Sequence, residues 1–129
     1  MKTKLLLLAL SISLFSCSPN IVNKWNIDKY EVINNKGQNT SAQNIGSIEF
    51  KKNGKGTKNI SYNVFQNDFI DESGFEYELK DGYIIIKITD NNDKSALNKT
   101  WIIVNDKKKK QVWKSTDGSK SVQIIELSR

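Results

Sequence analysis

The stretch that decides the fold is residues 45–65, IGSIEFKKNGKGTKNISYNVF. Two runs rich in β-branched and aromatic residues, 45–52 and 57–65, flank the polar tetrapeptide Asn53-Gly54-Lys55-Gly56. Asn-Gly between alternating runs is among the strongest short-range signals for a β-hairpin, because a type I′ turn requires positive φ angles. The stretch therefore predicts two antiparallel strands joined by a tight turn.

The same pattern continues along most of the chain, and no stretch shows convincing helical periodicity. Six further strands are predicted, and clusters of Asn, Asp, Gly and Lys separate them. In the first of these strands the apolar alternation changes phase near Asp28, which predicts a β-bulge or a strong bend. The six runs are 24–33, 74–80, 83–89, 99–105, 111–116 and 119–128.

Eight consecutive strands with mostly short connections favour an all-β fold, an eight-stranded antiparallel up-and-down barrel. Closing the sheet removes its edges. A barrel of eight strands has an interior that side chains can fill or that holds one small ligand. A β-sandwich is the alternative, but it usually requires Greek-key crossovers, for which most of these connections are too short.

The N-terminal residues have the pattern of a secretory signal. Residues 1–4 contain two lysines, and residues 5–15 are an uninterrupted run of Leu, Ala, Ser, Ile and Phe. This run is about 11 residues long, whereas a membrane-spanning helix needs about 20. The sequence therefore predicts a signal peptide at 1–16, a tether at 17–21 and one barrel domain at 22–129.

The composition excludes several classes of function. The chain has no histidine and one cysteine, which excludes Ser–His and Cys–His nucleophile systems, Cys/His zinc sites and an intramolecular disulfide. Without the two lysines at 2 and 4, 18 basic residues face 14 acidic ones, a net charge of +4. The lysines are spread along the chain and there is one arginine, so nucleic acid is not an expected partner. Neither enzymatic activity nor a cofactor is expected.

Three polar clusters could be functional, and each also has an ordinary interpretation. The lysines at 107–110 could attract anionic lipid or a lipopolysaccharide headgroup, although charge runs in hairpins are usually just solvated. Residues 90–93 (DNND) resemble a calcium loop but lack its glycine and distal glutamate, so a turn is expected. Asp68, Asp71 and Glu72 could supply the paired carboxylates of a glycosidase. Nothing in the sequence places them in a cleft, and we expect them to be solvated.

The large apolar residues leave an open question, because they could line a pocket or simply fill the core. The candidates for pocket lining are Phe50, Tyr62, Phe75, Tyr77, Ile86 and Trp101.

Residues Leu14-Phe15-Ser16-Cys17 resemble the lipobox of bacterial lipoproteins. The resemblance implies that Cys17 becomes the lipid-modified N-terminus and that the membrane is a partner of the protein. An ordinary signal with a chance cysteine, or a buried thiol, is the alternative. Ser18, with no acidic cluster after it, is similar to the pattern sorted to the outer membrane, facing the periplasm.

A second resemblance covers nearly all of the barrel domain. Asn23-Lys24-Trp25, the stretch GSIEFKKNGKGT at 46–57, Trp101 and a last strand ending in leucine resemble the small lipocalin-like domains of Bacteroidetes lipoproteins. In lipocalins a Gly-x-Trp motif opens the first strand, and here Asn23 replaces the glycine. The resemblance implies that Trp25 plugs the closed end of the barrel and that Arg129, the only arginine, packs against it.

Two functions follow as expectations. The first is non-covalent binding of a small apolar or amphipathic molecule through the open end, with a mouth formed partly by residues 34–44. The alternative is an envelope adaptor or inhibitor that binds another protein through its outer surface or loops. A monomer is expected in both cases.

Overall fold

A computed structural model describes residues 19–64, 66–87, 89, 95–116 and 120–129. The predicted signal peptide, Cys17, the first residues of the tether, and the predicted turns at 90–93 and 117–118 lie outside the described residues. In the part of the chain that is described, no helix is long and apolar enough to cross a membrane.

Eight antiparallel strands form a closed barrel in which each strand pairs with its neighbours in the chain and β1 pairs with β8. The prediction of an all-β, eight-stranded up-and-down barrel is confirmed. The strands are β1 (Lys24–Ile33), β2 (Asn39–Phe50), β3 (Lys55–Val64), β4 (Asn67–Lys80), β5 (Tyr83–Lys87), β6 (Thr100–Asp106), β7 (Lys110–Ser115) and β8 (Val122–Ser128).

The barrel has two different ends. At one end, which we call the closed end, lie the turns at 51–54, 81–82 and 107–109 together with the segment 19–23. This segment covers the barrel, since Ile21 is buried and the backbone N–H of Phe50 donates to the carbonyl of Asn23 at 3.0 Å. The opposite end, where β1, β3, β5 and β7 finish, is the open end.

Two strands are longer than the sequence predicted. Residues 39–44, predicted as loop, belong to β2 and pair with β1 as far as Ile33↔Asn39. Residues 67–73 belong to β4 and pair with β3 as far as Val64↔Asn67. Residues 39–44 are mostly polar, and residues 67–73 are polar except for Phe69 and Ile70. Their strand conformation comes from backbone pairing with a neighbouring strand, which side-chain propensity reports poorly.

The bulge predicted near Asp28 is confirmed. Ile27 pairs with Gly46 and Leu127, but Lys29 pairs with Gln43 and Glu126, so the register shifts against both neighbours at Asp28. Gly46 has φ +139°, and a Cβ there would lie 2.0 Å from the carbonyl oxygen of Asn59. Only glycine fits this close approach, which lets β1 and β2 bend together.

The hairpin between β2 and β3 is confirmed, but its turn is not type I′. Gly54 has φ +80° while Asn53 does not have a positive φ. The N–H of Lys51 donates to the carbonyl of Lys55 at 2.9 Å, so the loop has three residues and ends in a left-handed glycine. The side-chain oxygen of Asn53 accepts a hydrogen bond from the backbone N–H of Lys55 at 3.1 Å, and this bond stabilises the loop.

Aromatic side chains fill the closed end and the middle of the barrel. Phe50 is surrounded by Phe75, Tyr77 and Trp113, with ring centroids 5.3, 5.1 and 5.6 Å away. The indole N–H of Trp25 donates to the carbonyl of Ile21 at 3.0 Å, which satisfies a polar group in a fully buried side chain. The interior is therefore solid up to about the level of Phe75.

Candidate functional site

A cavity of about 760 Å³ lies at the open end of the barrel. Its position follows from the unequal lengths of two neighbouring strands. The ladder between β4 and β5 begins only at Glu76↔Lys87, so among the described residues the first nine of β4 pair with β3 alone. Thr89 and residues 95–97 lie across this gap and form the opposite wall of the cavity. Ile45, Ile60 and Leu97 supply apolar surface.

Three aromatic rings form one wall. The ring of Tyr62 stacks on Phe69 with centroids 5.1 Å apart and 15° between the planes, and Tyr30 lies 6.5 Å from Tyr62. Burial, with a smaller effect of Tyr62, raises the pKa of Tyr30 to about 12. Burial also raises the pKa of Tyr62, with a smaller contribution from the charge of Asp71. Both phenols are therefore neutral at ordinary pH.

The mouth of the cavity is made by β4 rather than by residues 34–44. Phe69 and Ile70 are 48% and 70% exposed and line the opening. The expectation that residues 34–44 help to form the mouth is wrong, because none of them lines this cavity. Residues 40–42 line a smaller neighbouring cavity of about 210 Å³, which shares the aromatic wall.

A buried ion pair forms the polar side of the cavity. The Lys58 ammonium nitrogen lies 3.4 Å from a carboxylate oxygen of Asp71, and the Lys58 side chain is fully buried. The same carboxylate accepts hydrogen bonds from the hydroxyls of Ser73, at 3.2 Å, and Ser95. The side-chain oxygen of Asn98 lies 3.5 Å from the Lys58 nitrogen. Asp71, Ser73 and Ser95 line the cavity, whereas Lys58 does not.

The sequence-based expectation for these acids is wrong in part. Asp71 was expected to be solvated but is an inward-facing residue of β4, and Glu72 also lines the cavity. Asp68 is exposed. A signal was present in the alternation of Phe69, Asp71, Ser73 and Phe75, which share one face of a strand once β4 extends to Asn67. Among the described residues no group of three or more His, Cys, Asp or Glu could hold a metal ion.

Comparison with known proteins identifies the architecture. No protein-family model and no curated protein matches the chain. A solved lipocalin-like protein from Bacteroides uniformis superimposes with a TM-score of 0.56 at 15% identity, over 85% of this chain and 98% of that one. The fold is lipocalin-like. Japanin from Rhipicephalus appendiculatus, solved bound to cholesterol, gives a TM-score of 0.52 at 9% identity, over 88% of this chain and 79% of that one.

One of the six predicted pocket residues lines the cavity of the lipocalin-like barrel. Tyr62 forms part of its aromatic wall. Tyr77 is half-buried against Phe50 and does not line the cavity. The remaining four are buried in the hydrophobic core of the barrel: Phe50, Phe75, Ile86 and Trp101.

Trp25 and Arg129 meet at the closed end of the lipocalin-like barrel. The guanidinium carbon of Arg129 lies 5.5 Å from the centre of the Trp25 ring, which is fully buried. The Arg129 Nε donates to the carbonyl of Lys108 at 2.7 Å. This arginine therefore ties the end of β8 to the β6–β7 turn, above the tryptophan.

Proposed function

We propose that the lipocalin-like barrel binds a small apolar or amphipathic molecule non-covalently in the cavity at its open end. The single observation that carries the proposal is the cavity of about 760 Å³. Sites for small molecules typically have volumes of about 300–1,000 Å³ and are largely apolar, with a few polar groups that orient the ligand. Ile45, Ile60 and Leu97 would hold the apolar body of such a ligand.

The polar groups of the cavity favour a ligand that donates a hydrogen bond. The described residues of its wall carry carboxylates and hydroxyls but no lysine or arginine, and the Lys58 charge already faces Asp71. An ionised fatty acid would bring a further negative charge next to those of Asp71 and Glu72, which is unfavourable. An alcohol or an amine would donate to them. Cholesterol, the ligand in the Japanin structure, is an apolar molecule with one hydroxyl.

Binding is tested with three probes of equal chain length, a long-chain alcohol, amine and carboxylate. We expect the alcohol and the amine to bind at least tenfold more tightly than the carboxylate. Ser73→Phe places a ring in the cavity and should abolish binding, whereas Ser61→Phe, on the exposed face of β3, should leave it unchanged. Native mass spectrometry of protein from its own host should show a bound, extractable molecule. An empty protein that binds none of the three probes would overturn the proposal.

Anchoring is a second part of the proposal. We propose that Cys17 is acylated and that the protein is attached to the outer membrane, facing the periplasm. The lipobox-like residues before Cys17 support this, and so does the position of residues 19–23 at the closed end, since an anchor there leaves the cavity mouth free. Cys17→Ser should move the protein out of the membrane fraction after a high-salt wash. Unchanged retention would contradict the anchor.

A protein-binding role is the second candidate, and one observation favours it. Tyr83, Ile102 and Val104 are 38%, 57% and 55% exposed on the outer face of β5 and β6, where Tyr83 pairs with Ile102. The double variant Ile102→Ser/Val104→Ser distinguishes the two candidate functions, ligand binding in the cavity and protein binding through the outer face. If the cavity carries the function, this double variant keeps ligand binding and complements a deletion strain, whereas Ser73→Phe does neither.

A further inference from the structure

The closed end of the barrel carries a concentration of positive charge. Lys51, Lys52 and Lys55 lie at the β2–β3 turn, and all three are exposed. The four consecutive lysines at 107–110 lie at the β6–β7 turn of the same end, and all four are exposed. Two turns that are far apart in sequence are thus brought to one surface by the closure of the barrel.

Further charges extend this surface. Lys24 at the start of β1, Lys80 at the end of β4 and Arg129 after β8 are exposed at the same end. Acids are fewer at this end: Asp81 and Asp106 lie in or next to the turns, Glu49 and Glu76 lie opposite Lys24 and Lys55, and Glu78 and Glu126 lie near the ends of β4 and β8. The Asp106 carboxylate accepts hydrogen bonds from the side chains of Asn20 and Gln111.

The open end has charges of both signs. Asp68, Asp71 and Glu72 cluster on the first half of β4. In contrast to the seven lysines in two turns at the closed end, the exposed lysines at the open end are spread over four different elements: Lys36, Lys87, Lys114 and Lys120.

The basic surface has a fixed backbone. The N–H of Lys107 donates to the carbonyl of Lys110 at 2.9 Å, and the N–H of Arg129 donates to the carbonyl of Lys109 at 3.1 Å. The Arg129 side chain adds its bond to the carbonyl of Lys108. The turn is held against the end of β8, so its lysines extend from a common base and can face one plane.

We infer that this closed end docks on the surface of an anionic phospholipid bilayer. Lysines near such a surface each favour binding by roughly fivefold, and their effects combine when they face the same plane. A plane of lipid headgroups suits charges spread over the whole end of a barrel better than a small anion does. Residues 19–23 lie at this end, so an acyl anchor at Cys17 and the lysines would act on the same membrane, with the cavity mouth directed away from it.

The inference is independent of the cavity and of acylation, and it is tested without acyl groups. All eight strands lie beyond residue 23, so the chain from Ser18 onward keeps the whole barrel and lacks Cys17. Its binding is measured by co-sedimentation with phosphatidylcholine vesicles that contain increasing fractions of phosphatidylglycerol. We expect the bound fraction to rise with phosphatidylglycerol and to fall at least tenfold between low and high salt.

Two variants of equal charge give the decisive comparison. Replacing all four lysines at 107–110 by glutamine should weaken binding at least tenfold. The control replaces four exposed lysines elsewhere, Lys36, Lys87, Lys114 and Lys120, by glutamine and should change binding less than threefold. Circular dichroism and thermal unfolding establish that both variants are folded. Equal losses in the two variants, or no preference for phosphatidylglycerol, would overturn the inference.

Discussion

The Lys58 ammonium lies 3.4 Å from the Asp71 carboxylate inside the barrel, where the Lys58 side chain has no exposure and that of Asp71 is 23% exposed. The pair therefore connects the sealed core to the cavity wall. A buried ammonium requires a counter-charge, because its desolvation is costly. Asp71 meets this requirement and also presents its carboxylate to the cavity, so the pair links stability to the polarity of the site.

Removing the carboxylate should destabilise the fold. We expect Asp71→Asn to lower the free energy of unfolding by about 2 kcal/mol, because it leaves the Lys58 charge without this partner. The double variant Lys58→Met with Asp71→Asn should be more stable than Asp71→Asn alone. Asp68→Asn on the exposed part of β4 is the control and should change stability by less than about 0.5 kcal/mol. Urea denaturation measures all three, and an Asp71→Asn protein as stable as the wild type would contradict this account.

Gly56 is required by the packing of Phe75. A Cβ at Gly56 would lie 2.3 Å from the ring of Phe75 and 2.3 Å from the carbonyl oxygen of Glu49. Gly56→Ala should therefore lower the free energy of unfolding by about 2–3 kcal/mol, because the added methyl group overpacks the core. Gly74→Ala is the matched control, since its new Cβ would meet its nearest neighbour at 3.6 Å. Equal midpoints of denaturation for the two variants would show that the barrel relaxes around Gly56.

Tyr30 should make the protein sensitive to alkali. Its pKa is raised from 10.0 to about 12 in the folded state by burial. Between these values the unfolded chain has released a proton that the folded protein keeps, so stability falls as pH rises. The contribution is complete below pH 10 and is lost by about pH 12. Urea denaturation across this window should show a shallower decline for Tyr30→Phe than for the wild type, and identical slopes would contradict the assignment.

Arg129 should stabilise the closed end by a small amount. Arg129→Ala removes the contact with Trp25 and the bond to the carbonyl of Lys108. It should lower the free energy of unfolding by about 1 kcal/mol, because exposed cation–π contacts contribute about 0.5–1 kcal/mol. Arg129→Lys keeps the charge and loses the Nε donor, so its stability should lie between those of Arg129→Ala and the wild type. Hydrogen exchange of the backbone N–H groups of residues 107 and 129, which donate to the carbonyls of Lys110 and Lys109, reports the local effect, and unchanged protection in Arg129→Ala would argue against the contact.

Local patterns were sufficient to predict the number of strands and the closed barrel. Runs of β-branched and aromatic residues separated by turn residues require pairing, and eight of them in series pair most simply with their neighbours. The phase change at Asp28 marked the bulge correctly because a bulge reverses which side chains face inward. The same patterns failed for residues 39–44 and 67–73, where mostly polar side chains accompany backbone pairing with a neighbouring strand.

The sequence by itself determined that this chain closes into an eight-stranded barrel, because period-two alternation and turn residues are local properties. The cavity and its chemistry were decided by the tertiary structure. The space arises because β4 extends beyond its ladder with β5, and its polarity arises because Lys58 and Asp71 face each other across β3 and β4. Both depend on strand register, and no single run of residues carries that information.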